Sequence, residues 1–416
     1  MQFKFLKSLT RLFAIFSIVL TGCAHSSKIP QSNIDKVVQV AEQQYTKMLA
    51  ASTDLTKYPR TSNPDGSVKY VSIRDWTGGF WPGSLWYLYD LTKKTNWKED
   101  AIKWTESLES NQYNTIHHDI GFMMYCSYGN ALRNVKNEKY KDVLVQSAKS
   151  LIKRYDPRVG SIKSWNAKES WDGHTWYYPV IIDNMMNLEL LFYASKVTGD
   201  PVYRNIAIKH AETTMKNHLR PDYSSYHVVD YDTATGKVLH QQTNQGFSDN
   251  SQWARGQGWG IYGFTVMYRE TKDNRFLITA QKMADYYINH PNMPADKIPY
   301  WDFNAGQPGY VPDWKYDASK FSYVPRDASA ASLIASALLE LNKYLPDGKK
   351  YYRFAVESLN SLCTPAYLAA PGTNSNFILK HSTGSIPHNT EVDVPLMYAD
   401  YYFLEALLRY KNMLNY

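Results

Sequence analysis

Apolar residues recur along this chain in two alternating patterns. In the first, a run is apolar on almost every side: residues 80–92, 119–132, 183–195, 251–271, 327–339 and 393–410. Helices of that kind must be buried all round. In the second, charged residues keep to one helical face, over residues 34–51, 97–111, 137–155, 200–219, 273–290 and 347–363. Within 200–219, for example, Tyr203, Ile206, Ala207 and Ala211 share a face with Lys and Glu opposite. Such segments suit an outer layer. The two kinds alternate, six of each, and the last is an inner one.

The repeat is regular: 64 positions separate Asp119 from Asp183 and 66 separate Asp327 from Asp393. That exceeds the usual solenoid periods. An open solenoid would also need a polar capping repeat, whereas the final segment stays apolar to its end. The pattern therefore predicts an all-α chain closed into a toroid of six helical hairpins, an (α/α)6 barrel.

In such a barrel the loops entering the inner helices gather at one end, where a pocket belongs. Those loops carry His117-His118-Asp119, Trp171-Asp172-Gly173-His174, Tyr226-His227, Asn244-Gln245-Gly246 and Trp253-Ala254-Arg255-Gly256-Gln257-Gly258-Trp259. Asp119, Asp183 and Asp327 each stand where an inner helix starts, a position an acid fills simply to cap the helix. Asp183 has a further property. Val180-Ile181-Ile182 precede it and Met185-Met186 follow, and an apolar niche raises a carboxyl pKa toward what a general acid needs. Asp119 sits beside two histidines. Two carboxyls in unlike settings form the acid and base pattern of glycosidases. Arg255 either holds an anionic ligand or pairs with a buried acid such as Asp249.

Composition sharpens this picture. The 34 tyrosines and 12 tryptophans supply flat, polar-tipped rings suited to stacking on sugars. Lys4, Lys7 and Arg11 precede an apolar run over residues 12–20, followed by Leu20-Thr21-Gly22-Cys23, which reads as a lipoprotein signal with Cys23 acylated. The domain reading is a signal over 1–22, a polar tether over 23–33 and one catalytic domain over 34–416. Without residues 1–22 the formal charge falls from +7 to +4, too mild for a nucleic-acid partner but compatible with an anionic ligand. Cys126 and Cys363 lie in apolar helical patterns and read as core residues. The histidines lack metal-ligand spacing, so neither metal nor cofactor is expected.

At these positions the chain resembles the unsaturated glucuronyl hydrolases, glycoside hydrolase family 88. The resemblance rests on Phe80-Trp81-Pro-Gly, His118-Asp119-Ile-Gly-Phe, Ile182-Asp183-Asn-Met-Met-Asn, Tyr226-His227, Asn244-Gln245-Gly, Trp253-Ala-Arg255-Gly-Gln-Gly-Trp259 and Tyr398-Ala-Asp-Tyr-Tyr-Phe. These segments run in the family's order across most of the chain. The resemblance implies an (α/α)6 barrel that removes a 4,5-unsaturated uronic acid from the end of lyase-generated oligosaccharides. It implies Asp183 as general acid and base with Asp119 assisting, and Trp81, His118, His227, Gln245, Arg255 and Trp259 as substrate-site residues. Ser382 and Ser385, in Lys380-His-Ser-Thr-Gly-Ser385, would meet the uronate carboxylate. The alternatives are an unsaturated rhamnogalacturonyl hydrolase acting on pectin fragments, or a glycan-binding lipoprotein without catalysis. The expected setting is the bacterial cell envelope, with the membrane met only through the lipid on Cys23.

Overall fold

A computed structural model describes residues 28–320 and 322–414; Cys23 and the expected signal lie outside them. Among these described residues thirteen α-helices follow in order: α1 (Gln31–Ala51), α2 (Phe80–Thr92), α3 (Thr95–Glu106), α4 (Ile120–Met124), α5 (Asn130–Asn134), α6 (Glu138–Ile152), α7 (Leu188–Thr198), α8 (Pro201–Asn217), α9 (Ala254–Thr271), α10 (Asn274–Ile288), α11 (Ala328–Leu341), α12 (Lys349–Leu362) and α13 (Met397–Leu414). A π-helical turn, Tyr125–Gly129, joins α4 and α5 into one inner rod, and a 3-10 turn, Ile182–Asn187, leads into α7.

The inner rods pack in sequence, α2 on the π turn, α4 on the turn before α7, then α9, α11 and α13, and α13 returns to α2. That contact closes the ring. The fold is an (α/α)6 barrel. Every residue of α11 is buried, as are Ala254–Met267 of α9, because each inner rod has neighbours on all sides. The outer helices α1, α3, α6, α8, α10 and α12 bury one stripe only. Asn137, Asp200 and Asp273 start three of them as caps, accepting the backbone N–H two residues on, which is worth about 1 kcal/mol each. Among the described residues no helix is long and apolar enough to cross a membrane.

Three differences from the sequence pattern matter. The barrel starts earlier than residue 34: α1 begins at Gln31, and buried Ile29 donates its N–H to Tyr410 at 2.8 Å, so the tether's end is part of the core. α13 begins at Met397 rather than 393, because Ser382 and Val394 pair as extended backbone first. The chain also carries short strands that a purely helical reading omits. Pro179–Ile181, Val228–Tyr231 and Val238–Gln242 form an antiparallel sheet at the end where the inner helices start. Its register puts Ile181 opposite Val228.

Candidate active site

That sheet places the first two functional side chains. Ile182 donates its N–H to the His227 carbonyl at 3.0 Å, so Asp183 and His227 emerge side by side from neighbouring strands. Asp119 arrives from the adjacent rod. Phe122 N–H donates to Asn187 Oδ1 at 2.9 Å, and Gly121 lies so close that a Cβ there would stand 2.4 Å from the same oxygen. Only glycine lets α4 approach this turn.

Asp119, Asp183, Gln245, Arg255, Ser385, His388, Arg60, Trp76, Trp165 and Tyr398 line one cavity of about 200 Å³. Both carboxyls are desolvated, with opposite results. Burial drives Asp183 up to about 7, and the Asp119 charge adds to that; the attraction of Arg255 and the Trp259 indole N–H oppose it and lose. Burial pushes Asp119 upward too, but His118 and His117 outweigh it and hold its carboxyl below the usual range. Their ring nitrogens lie 3.2 and 3.1 Å from its oxygens. Below about pH 7 one acid therefore keeps its proton while its neighbour is ionised. Neither makes a side-chain cap bond, whereas Asp327 does, to Ser329 and Ala330. Capping accounts for one of the three aspartates.

The remaining expected residues divide. Gln245 and Ser385 line the cavity, Gln245 donating to the Gly384 carbonyl at 3.2 Å and Ser385 Oγ lying 2.7 Å from His388 Nδ1. His227 faces Asp183 Oδ2 at 3.6 Å. Arg255 lines the wall, and its buried partner is Asp327 at 2.6 Å, not Asp249. Its other bonds go to the carbonyls of Thr383 and Gly384, at 2.5 and 2.6 Å, so it pins the segment carrying Ser385. Trp259 is fully buried beside Asp183, its ring packed on Phe122 and Tyr402 at 5.1 and 5.5 Å.

Five expected residues are not brought to the cavity lining: His227 and Trp259, buried against Asp183, and three that lie further off. Trp81 turns outward, edge-on to Tyr45 of α1 and Trp104 of α3, because its place on α2 faces the outer layer. His118 lies fully buried with Nε2 on Asp119, so it orients the carboxylate and has no open face. Ser382 is buried where its backbone pairs with Val394. Trp76 and Trp165 supply the indoles instead. Both precede an inner helix by a few to a dozen or more residues in polar loops, the one signal that could have found them. Arg60 and Glu391, joined at 2.5 Å across 331 positions, left no local signal.

A protonated and an ionised carboxyl facing one sugar-sized, indole-lined cavity define a glycoside hydrolase. Residues 49–403 match Glycosyl Hydrolase Family 88, and the chain belongs to that family. It is 45% identical over 391 residues to an unsaturated glucuronyl hydrolase of Formosa agariphila, covering 93% of each chain. A solved unsaturated glucuronyl hydrolase specific for heparin is 47% identical, covering 93% of this chain and 99% of its own, with a TM-score of 0.85. A variant of the Streptococcus agalactiae unsaturated glucuronyl hydrolase, complexed with dGlcA-GalNAc6S, is 29% identical over 92% of this chain and 93% of its own, TM-score 0.73. The chain is thus a glycosidase that removes an unsaturated uronic acid from oligosaccharides, and the reading without catalysis falls away.

Proposed function

We propose that Asp183 carries out this removal by hydrating the C4=C5 bond of the unsaturated uronic acid. That bond is conjugated to the ring oxygen, a vinyl ether that takes a proton at C4. Asp183, protonated below about pH 7, supplies it, and an oxocarbenium-like cation develops at C5. Ionised Asp119 stabilises that charge. The Asp183 carboxylate then takes a proton from the water that attacks C5. The hemiketal opens and expels the neighbouring sugar. His227 donates from Nε2 into the same region, Gln245 and Ser385 contact the sugar, and Arg255 with Trp259 fixes the wall and the acid. The observation that carries this reading is the pair of carboxyls lining one cavity, Asp183 desolvated and Asp119 held between His117 and His118, which pushes their pKa values apart.

The substrates are glycosaminoglycan-type disaccharides left by lyases; the heparin-specific and dGlcA-GalNAc6S-bound relatives support that class. The test is incubation with lyase-generated disaccharides, following loss of the conjugated-alkene absorbance, in heavy water. Deuterium should appear at C4 of the released keto acid. Product lacking it would overturn the hydration mechanism.

We also propose that the protein is anchored in the cell envelope through lipid on Cys23, a reading supported by the residues before it. Cys23→Ser should abolish incorporation of labelled fatty acid and release the protein from membranes.

A further inference from the structure

The cavity holds two arginines, and both are already neutralised. Arg60 meets Asp75 at 2.6 Å and Glu391 at 2.5 and 2.9 Å, and Arg255 meets Asp327 at 2.6 Å. His388, at the rim, is kept neutral: burial, with the nearby Lys168 charge, lowers its pKa to about 4. Lys168 differs from all three. It stands on a hairpin whose strands pair Lys168 with Trp176 and Glu169 with Thr175. Its Nζ donates to the neutral Asn244 Oδ1 at 2.9 Å, lies 5.0 Å from the Trp165 ring and 5.8 Å from the Trp176 ring, and makes no ion pair among the described residues.

An ammonium half-stripped of water, cradled by two indoles and given no counter-ion, is costly unless a ligand supplies one. Its neighbours say where that ligand lies. Trp165 lines the cavity, and Asn244 directly precedes Gln245, which lines it too. Lys168 itself is half-buried beside exposed Glu169 and is not among the residues that line the cavity with Asp119 and Asp183. A group that reaches it belongs to the part of the substrate projecting beyond that lining. With the uronate ring over Asp183, that part is the leaving sugar.

We infer that Lys168 is a specificity-determining residue that binds an anionic substituent, a sulfate ester, on the leaving sugar. The inference rests on the hydration reading, which places the unsaturated ring at Asp183. A charge-assisted hydrogen bond of this kind favours the charged substrate over its neutral counterpart by about tenfold.

The test compares kcat/KM on unsaturated disaccharides with and without sulfate on the leaving sugar, for the wild type, Lys168→Met and Lys168→Arg. The sulfated-to-unsulfated ratio should fall about tenfold in Lys168→Met, mainly through KM, and recover largely in Lys168→Arg. The wild-type ratio should also shrink as salt rises, with the Met variant's ratio flat. Equal losses on both substrates would overturn the inference, placing Lys168 at the uronate carboxylate or in the fold, and so would an unmoved ratio. A wild type inactive on every unsaturated disaccharide would instead overturn the hydration reading, and the inference with it.

Discussion

His227 points Nε2 at Asp183 Oδ2 across 3.6 Å, and its other ring nitrogen determines what that approach means. Nδ1 accepts the backbone N–H groups of Asn244 and Gln245, both at 3.2 Å, so the proton must sit on Nε2. Burial and the positive charge of Arg255 hold the imidazole neutral, well below its ordinary pKa. At that distance the two are not hydrogen-bonded, and among the described residues neither Nε2 nor Oδ2 has a hydrogen-bond partner. A neutral donor thus stands behind the acid carboxyl that lines the cavity, without the imidazolium that would ionise Asp183.

The pH profile of kcat/KM should have its alkaline limb near 7. Asp183 must hold its proton, and its pKa is driven to about 7, so activity falls as pH rises through that value. The acid limb belongs to Asp119, which must stay ionised and is held below the ordinary carboxylate range. Initial rates from pH 4 to 9 check this; a flat profile between 6 and 9 would contradict it.

Asp183→Asn should lower kcat by roughly two to four orders of magnitude, the range of general acid and base catalysis. The same change should stabilise the fold at high pH. A carboxyl whose folded pKa is raised binds more protons folded than unfolded, so stability is lost as pH climbs from about 4, the unfolded value, to about 7. The cost at pH 8 is at most about 4 kcal/mol, and the amide does not incur it. Melting curves should show a higher Tm for the variant at pH 8 and little difference at pH 4.

Asp119→Asn should slow turnover and shift the alkaline limb downward. Its charge is one of the groups raising the Asp183 pKa, so removing it lets that proton leave at lower pH. An alkaline limb that stays in place would show that burial alone sets Asp183.

Gly121→Ala should lower both Tm and activity. Its added methyl would stand 2.4 Å from Asn187 Oδ1 and 2.5 Å from Asn187 Cα, so α4 must move from the turn bearing Asp183. Overpacking of this kind costs about 1–3 kcal/mol. The partner change Asn187→Ala removes Oδ1 but keeps the Cα and Cβ that stand 2.5 and 2.6 Å from the added methyl, so the double variant should not regain Tm and also loses the hydrogen bond to Phe122.

The architecture was legible in the sequence because burial writes itself into periodicity. An inner helix surrounded by neighbours must be apolar all round, as Ala328–Leu341 is, and an outer helix must show one polar face, so six alternating pairs determine a closed ring. The special niche of Asp183 was legible too, since its apolar flanks are adjacent in the chain. The direction of each side chain was not. Trp81 and Trp76 are five positions apart, yet one faces the outer layer and the other the cavity, a matter of helix rotation and loop path. His118 and Asp119 are consecutive, and packing alone makes one the support of the other. Arg255 meets Asp327 across 72 positions and Gly384 across 129, and Arg60 meets Glu391 across 331. Such pairings depend on ring closure, which sets distant loops side by side at one end of the barrel, and only the tertiary structure decides which charges there are neutralised and which, like Lys168, are left to a ligand.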